Sequence, residues 1–221
     1  MPPTRLGMLL LTAGLLYAAS GVEERLGDAA DVLTDIMAAP DKGIPRDLIG
    51  KAECIVIVPG VKKGAFIFGG KYGKGFTLCR KGSGWSAPAA TRVEGGSFGF
   101  QIGVSETDVV MLVMNDSGVK KLLQSKFTLG ADAAVAAGPV GRTSSAETDA
   151  QLHAEILSWS RARGLFAGVA LQGATLRPDD DWNQDLYGKA LTNREIVTGN
   201  NKPPAAANKL IGLLRKYSGR K

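Results

Sequence analysis

The sequence predicts an α+β fold: a strongly curved, glycine-rich antiparallel β-sheet, barrel-like, with helices from the N- and C-terminal parts packed on it. Three observations predict it. Apolar strand-like runs follow one another between glycine turns, without the strand–helix–strand alternation of a parallel nucleotide-binding sheet. Small residues recur inside those runs, as in Gly95-Gly96-Ser97-Phe98-Gly99, and favour bending and close packing. Helical periodicity is concentrated toward the two ends of the chain. The 221 residues suffice for one domain with an ample core, and the net charge of +6 points to acidic partners.

Residues 1–20 read as a secretory signal peptide. Arg5 is the one charged side chain before Glu23, an apolar run covers 6–17, and Ala18-Ala19-Ser20 supplies small residues for cleavage after Ser20. An uncleaved N-terminal anchor is the alternative. The chain is thus expected to be exported, in the periplasm or cell envelope and peripheral to the membrane. Residues 21–200 form the expected domain and 201–221 a basic C-terminal tail helix.

Residues 22–39 have the spacing of an amphipathic helix, with Leu26, Ala29, Ala30, Leu33, Ile36 and Met37 on one face. Pro40-Asp41-Lys42-Gly43 ends it. A short helix over 45–51 follows, with proline suited to its first turn. Cys54-Ile55-Val56-Ile57-Val58 is a buried strand closed by Pro59-Gly60.

The stretch 61–81 reads as two strands, around 65–68 and 76–79, joined by a turn containing Gly69, Gly70, Gly73 and Gly75. Its cations Lys62, Lys63, Lys71, Lys74, Arg80 and Lys81 have no acid among them. They are either the solvated ends of a hairpin or an anion-facing surface for phosphate groups. Cys54 and Cys79 each lie in an apolar strand-like run, which favours two buried free thiols. A disulfide is the alternative in an exported protein.

Further along, a turn at 82–84 precedes a segment starting at Trp85, and a glycine-spaced strand covers 95–103. Another buried strand covers 109–114, and a short helix 116–125. Residues 127–139 form a weakly patterned strand. Strands at 156–161 and 165–174 meet at Gly164. Helices are expected over 179–187, N-capped by Asp179, and over 191–197, N-capped by Thr192. In the tail, Leu210, Leu213, Leu214 and Tyr217 share a helical face that Ile211 widens, opposite a basic side. That side and the end of the chain hold Lys209, Arg215, Lys216, Arg220 and Lys221. Such a helix suits an anionic membrane or a partner groove, or packs back on the domain.

Catalytic and metal motifs are weak. Gly95-Gly96-Ser97-Phe98-Gly99 matches the G-x-S-x-G pattern, with His153 downstream, but that nucleophile needs a strand before it and a helix after it. Here strand-like alternation follows, so a serine hydrolase at Ser97 is a remote alternative. The run through Gly73-Lys74-Gly75 lacks the glycine and the Ser or Thr of a P-loop. Asp179-Asp180-Asp181 lacks the glycine and glutamate of a calcium loop and fits a helix N-terminus. With one histidine and no ligand spacing, no metal or cofactor is expected. Trp85 and Trp182 read as packing residues.

The chain resembles the SYLF domain family, a lipid-binding module described as actin-binding in fungal members. The resemblance runs over about 22–188. It is carried by Ile44-Pro45 through Lys51-Ala52, Gly64-Ala65-Phe66, Trp85-Ser86-Ala87-Pro88 and Glu106-Thr107-Asp108. Leu129-Gly130, Ala137-Gly138-Pro139-Val140-Gly141-Arg142, Gly164-Leu165-Phe166-Ala167-Gly168-Val169, Asn183 and Tyr187-Gly188 continue it. It implies non-enzymatic binding of phosphoinositides or other anionic phospholipids, through basic surface and an N-terminal amphipathic helix. Here the helix carries Glu23, Glu24, Asp28, Asp31 and Asp35 against Arg25 alone. The lysines of 61–81 are therefore the stronger candidates, with the tail as a second basic site. Expected partners are an anionic phospholipid surface and, alternatively, an envelope protein or acidic polymer that docks the tail. No nucleic acid is expected, and actin enters by family analogy alone.

Overall fold

The computed structural model describes residues 7–39, 43–65, 68–98, 103–140, 153–162, 164–169 and 171–219. The architecture is α+β, with a strongly curled, half-barrel sheet and helices at both termini. Helix α1 (Gly7–Ala38) and α2 (Arg46–Lys51) precede β1 (Cys54–Ala65), β2 (Phe68–Lys81), β3 (Gly84–Trp85), β4 (Ala89–Phe98) and β5 (Gly103–Val113). Then come α3 (Asp116–Leu122), β6 (Phe127–Thr128), β7 (Val135–Ala137), β8 (Ile156–Ala162), β9 (Leu165–Gly168) and β10 (Thr175–Pro178). Helix α4 (Asp180–Tyr187), α5 (Asn193–Thr198), a 3-10 turn (Ala205–Ala207) and α6 (Asn208–Tyr217) complete the chain. Among the described residues no helix is long and apolar enough to cross a membrane.

The strand order is β6-β10-β4-β2-β1-β5-β8-β7, with β3 on β2 and β9 on β8; the pairs are antiparallel except β7 with β8. Strand β1 is buried on both faces, as its unbroken apolar run requires. Ile55 and Ile57 join a core formed with α1, α2, α4 and α6. Val56 and Val58 join a second core with α3, α5 and β6. Helix α1 gives Leu26, Ala29, Ala30, Leu33 and Ile36 to the first core, all fully buried, with Met37 partly so.

Several expectations need correction. Pro59-Gly60 does not close β1. Gly60 adopts φ 57° and forms a bulge, and the strand runs on to Ala65. Two long-range contacts hold the bulge: the Arg25 guanidinium donates to the Pro59 carbonyl, and the Gly60 N–H donates to Asp108. The glycines at 69–75 lie within β2, not in a turn. A Cβ on Gly75 would overlap the Ile57 carbonyl, so glycine is needed where β2 crosses the bulged strand. The link between β1 and β2 falls at residues 66–67, outside the described residues. Residues 127–139 divide into β6 and β7, and among the described residues of 165–174 the strand is β9, ending at Gly168, with Gly173 at φ 76° in the turn before β10.

Cys54 and Cys79 are bonded to each other. The free-thiol reading fails because β1 and β2 pair Cys54 directly with Cys79, on the same face of the sheet. The expected helix caps stand. Asp179 accepts from the Trp182 N–H, and Thr192 forms a reciprocal capping box with Glu195.

Candidate functional site

Beyond the bulge, strand register sets the geometry of the basic stretch. Lys62 pairs with Tyr72 of β2 and Glu106 of β5, and Lys63 pairs with Lys71 of β2 and Ser105 of β5. Tyr72 shares a face with Lys74 and Phe76, the face that carries α1 and α4. Lys63 and Lys71 lie together on the other face. Their direct opposition concentrates positive charge at this level of the strand pair.

The remaining cations of 61–81, Lys74, Arg80 and Lys81, contact groups of the domain itself. The Lys74 ammonium lies 2.9 Å from the buried Asp179 carboxylate and 4.4 Å from the centre of the Trp182 ring. Arg80 donates to the carbonyls of Ile49, Gly50 and Ala52 at the C-terminus of α2 and to Ser218 after α6. Its guanidinium stacks 4.2 Å from Trp85. Lys81 donates to Gly199 and, at 2.6 Å, to Asn200. Sequence shows the charge of these residues but not which backbone carbonyls surround it.

The tail packs on the domain. Leu210, Ile211 and Leu214 are buried, with α6 against α1 and α2. Lys209 pairs with Asp31 of α1 at 2.5 Å, and Lys216 lies 5.4 Å from the centre of the Tyr217 ring. Arg215 reaches toward Gly84. Arg220 and Lys221 lie outside the described residues. The apolar face that a membrane or groove would need is already occupied by the domain's own core.

Ser97 sits within β4, paired with Gly69, which in turn belongs to the row of Ala65 and Gly103. His153 precedes β8, whose first residue Ile156 pairs with Val113, the partner of Cys54. Ser97 and His153 thus mark opposite ends of β1, roughly 35 Å apart along an extended strand. They do not form a nucleophile–base pair. Among the described residues no group of His, Cys, Asp and Glu is arranged to hold a metal.

Sequence reasoning missed the polar contacts that fix this scaffold. Arg161 donates at 2.6 Å to Asp108 and also to Asp35 of α1, with Phe166 beneath it. Burial opposes its charge, but the two carboxylates outweigh that and raise its pKa. Asn183 accepts from the Ala90 N–H and donates to Asn193, which donates on to Ala90 and Thr91. The Tyr187 hydroxyl donates to Pro88, and burial pushes its pKa up. The Trp159 indole donates to Pro139 and lies where a side chain on Gly138 would stand. Nothing local in the sequence marks these pairs, because their partners are distant along the chain.

A family model described as Las17-binding protein actin regulator, Ysc84, matches residues 94–217. LAS seventeen-binding protein 3 of Saccharomyces cerevisiae is 33% identical over 178 residues, covering 79% of this chain and 39% of that protein. Protein YSC84 of the same yeast is 33% identical over 178 residues, 79% of this chain and 38% of its own length. The human SH3 domain-containing YSC84-like protein 1 is 33% identical over 181 residues, 81% of this chain and 53% of its own. The chain thus spans between two fifths and about half of these relatives. The match begins inside β4 and ends at the last residue of α6, so the C-terminal helix belongs to the shared domain. The chain belongs to the Ysc84 family, whose shared unit is the SYLF domain.

Proposed function

We propose that this chain is a non-enzymatic binding domain for anionic phospholipid at a membrane surface, with Lys63, Lys71 and Lys62 supplying the charge. The observation that carries the reading is the direct pairing of Lys63 with Lys71 at the far end of the β1–β2 hairpin. Over residues 22–37 the apolar face of α1 is consumed by the core and its outer side is acidic, so this described part of the helix contributes no basic amphipathic surface. Each cation near an anionic bilayer contributes about 1 kcal/mol, so three give a preference of roughly a hundredfold over a neutral bilayer. The compartment we propose is an oxidising, exported one. The Cys54–Cys79 disulfide and the leader-like residues 1–20 support it. Actin regulation, the activity in the family description, requires a compartment that contains actin and is not the reading chosen for this chain.

The test is co-sedimentation with phosphatidylglycerol-rich and with neutral vesicles at low and high salt. Pelleting is expected with the anionic vesicles alone, weakening with salt. Lys63→Glu/Lys71→Glu is expected to reduce the affinity at least tenfold, and unchanged binding overturns the site. A second reading is an acidic protein or polymer docked on the outer face of α6, where Lys209 and Lys216 stand one above the other. Deleting α6 would remove Leu210 and Leu214 from the core, so Lys209→Glu/Lys216→Glu is the appropriate variant for that reading.

A further inference from the structure

We propose that Arg92 of β4 and Arg177 of β10 form a binding site for a phosphomonoester dianion, with Glu94 as the residue that sets the two guanidinium groups in place. The site is separate from Lys63 and Lys71 and stands independently of the lipid reading above.

Strand register brings the two arginines together. Arg177 pairs directly with Arg92, and Thr175 pairs with Glu94, so Glu94 lies diagonal to Arg177 on the neighbouring strand. Residues two apart on a strand share a face, so the three side chains leave the sheet on one side. It is the side of Phe76 and Ala90, which pair with each other and belong to the first core; Ala90 precedes Arg92 by two residues. Val93 and Leu176, the chain neighbours of Arg92 and Arg177, point the other way into the second core.

Glu94 holds both guanidinium groups at the same nitrogen. One carboxylate oxygen lies 2.8 Å from the Arg92 Nε, and the other lies 3.3 Å from the Arg177 Nε, which is buried. The two arginine side chains are nonetheless 33% and 38% exposed. Among the described residues no hydrogen bond uses an Nη of either arginine. Each guanidinium is thus anchored at Nε and offers its Nη groups. Guanidinium forks recognise phosphate and carboxylate oxygens through paired N–H donors. A phosphomonoester has three terminal oxygens and carries nearly two negative charges at neutral pH, so it can engage both forks at once. A carboxylate has two oxygens and a single charge, which one fork satisfies.

The local charge agrees. Lys74 pairs with Arg92 from the other side, so Arg177, Arg92 and Lys74 form one row across β10, β4 and β2. Asp179 is matched by Lys74, whereas Glu94 is shared by two arginines, which leaves positive charge in excess. Asp180 and Asp181, at the start of α4, are exposed, and solvent screens them.

The experiment is calorimetric titration of the full chain with inorganic phosphate and glycerol 3-phosphate. Beside it runs co-sedimentation with phosphatidic acid and phosphatidylglycerol vesicles matched in surface charge. Arg92→Lys/Arg177→Lys keeps the charge and removes the forks. It should weaken phosphate binding at least about tenfold, while the control Lys120→Gln/Lys126→Gln, on exposed lysines elsewhere, stays within about twofold of the parent. Urea midpoints check the fold of each variant, and the single lysine variants serve if the double variant does not fold. Binding of the soluble phosphates identifies a free phosphate ester as ligand. A preference for phosphatidic acid that the lysine variant abolishes, without soluble binding, identifies a lipid headgroup; either result supports the site. Unchanged binding in the lysine variants, equal affinity for succinate, or no binding of either phosphate source overturns it. Pelleting with phosphatidylglycerol should be the same for the parent and the lysine variant, so failure of this site leaves the lipid reading standing.

Discussion

The Lys74 ammonium lies 2.9 Å from one oxygen of Asp179, whose other oxygen accepts the Trp182 N–H at the start of α4. Asp179 is 1% exposed, so Lys74 is the counter-charge of a buried carboxylate, not a free surface cation. Lys74→Ala should destabilise the fold by about 3 kcal/mol, because it leaves that carboxylate buried and unpaired. Urea denaturation measures this. A loss below half that figure would mean that solvent already screens the pair. Lys74→Glu is for the same reason unsuitable as a binding test.

The Cys54–Cys79 bond closes a loop with a sequence separation of 25 residues and joins the two central strands. Its chain-entropy contribution is about 3 kcal/mol. Cys54→Ala/Cys79→Ala should lower stability by that amount in non-reducing urea titrations. Dithiothreitol should then have no effect on the double variant while it destabilises the parent.

The glycines divide into two kinds with opposite responses to alanine. At Gly75 a methyl group overlaps the Ile57 carbonyl, and Gly75→Ala should cost at least about 2 kcal/mol. At Gly212 in α6 a methyl group meets nothing within 4 Å, and Gly212→Ala should stabilise by about 0.7 kcal/mol through helix propensity. Thermal unfolding of the two variants gives shifts of opposite sign.

Glu155 links β8 to α3. Burial pushes its carboxyl up, but hydrogen bonds from Lys121, Ser117 and the Ala134 N–H hold it below the usual carboxylate range. A group with a lowered folded pKa stabilises fully above its unfolded value, about 4.3, and loses that contribution as pH falls through the folded value. Glu155→Gln should therefore flatten the acid limb of the stability curve below about pH 4 and lower the plateau above it. Urea midpoints taken across that limb for both proteins check the sign.

Legibility in the sequence followed the range of the interactions. The buried face of α1 was readable because Leu26, Ala30 and Leu33 repeat at the helical period. The caps at Asp179 and Thr192 were readable because each partner lies three residues away. Pro59-Gly60 read as a strand end because both residues break ladders locally. Arg25 and Asp108, 34 and 48 residues away, stabilise it as a bulge instead. That bulge resets the alternation along β1, so the face shared by Lys63 and Lys71 could not be counted forward from Cys54.

The sequence by itself determined the class of the fold, a curved sheet with terminal helices, and the presence of excess positive charge near its first hairpin. Those properties depend on composition and on periodicities only a few residues long. The tertiary structure alone decided that Lys74, Arg80 and Lys81 hold the scaffold, that Lys63 meets Lys71, and that Cys54 meets Cys79. Each of these depends on the register between strands, and register is fixed by both cores packing at once rather than by any neighbour in the chain.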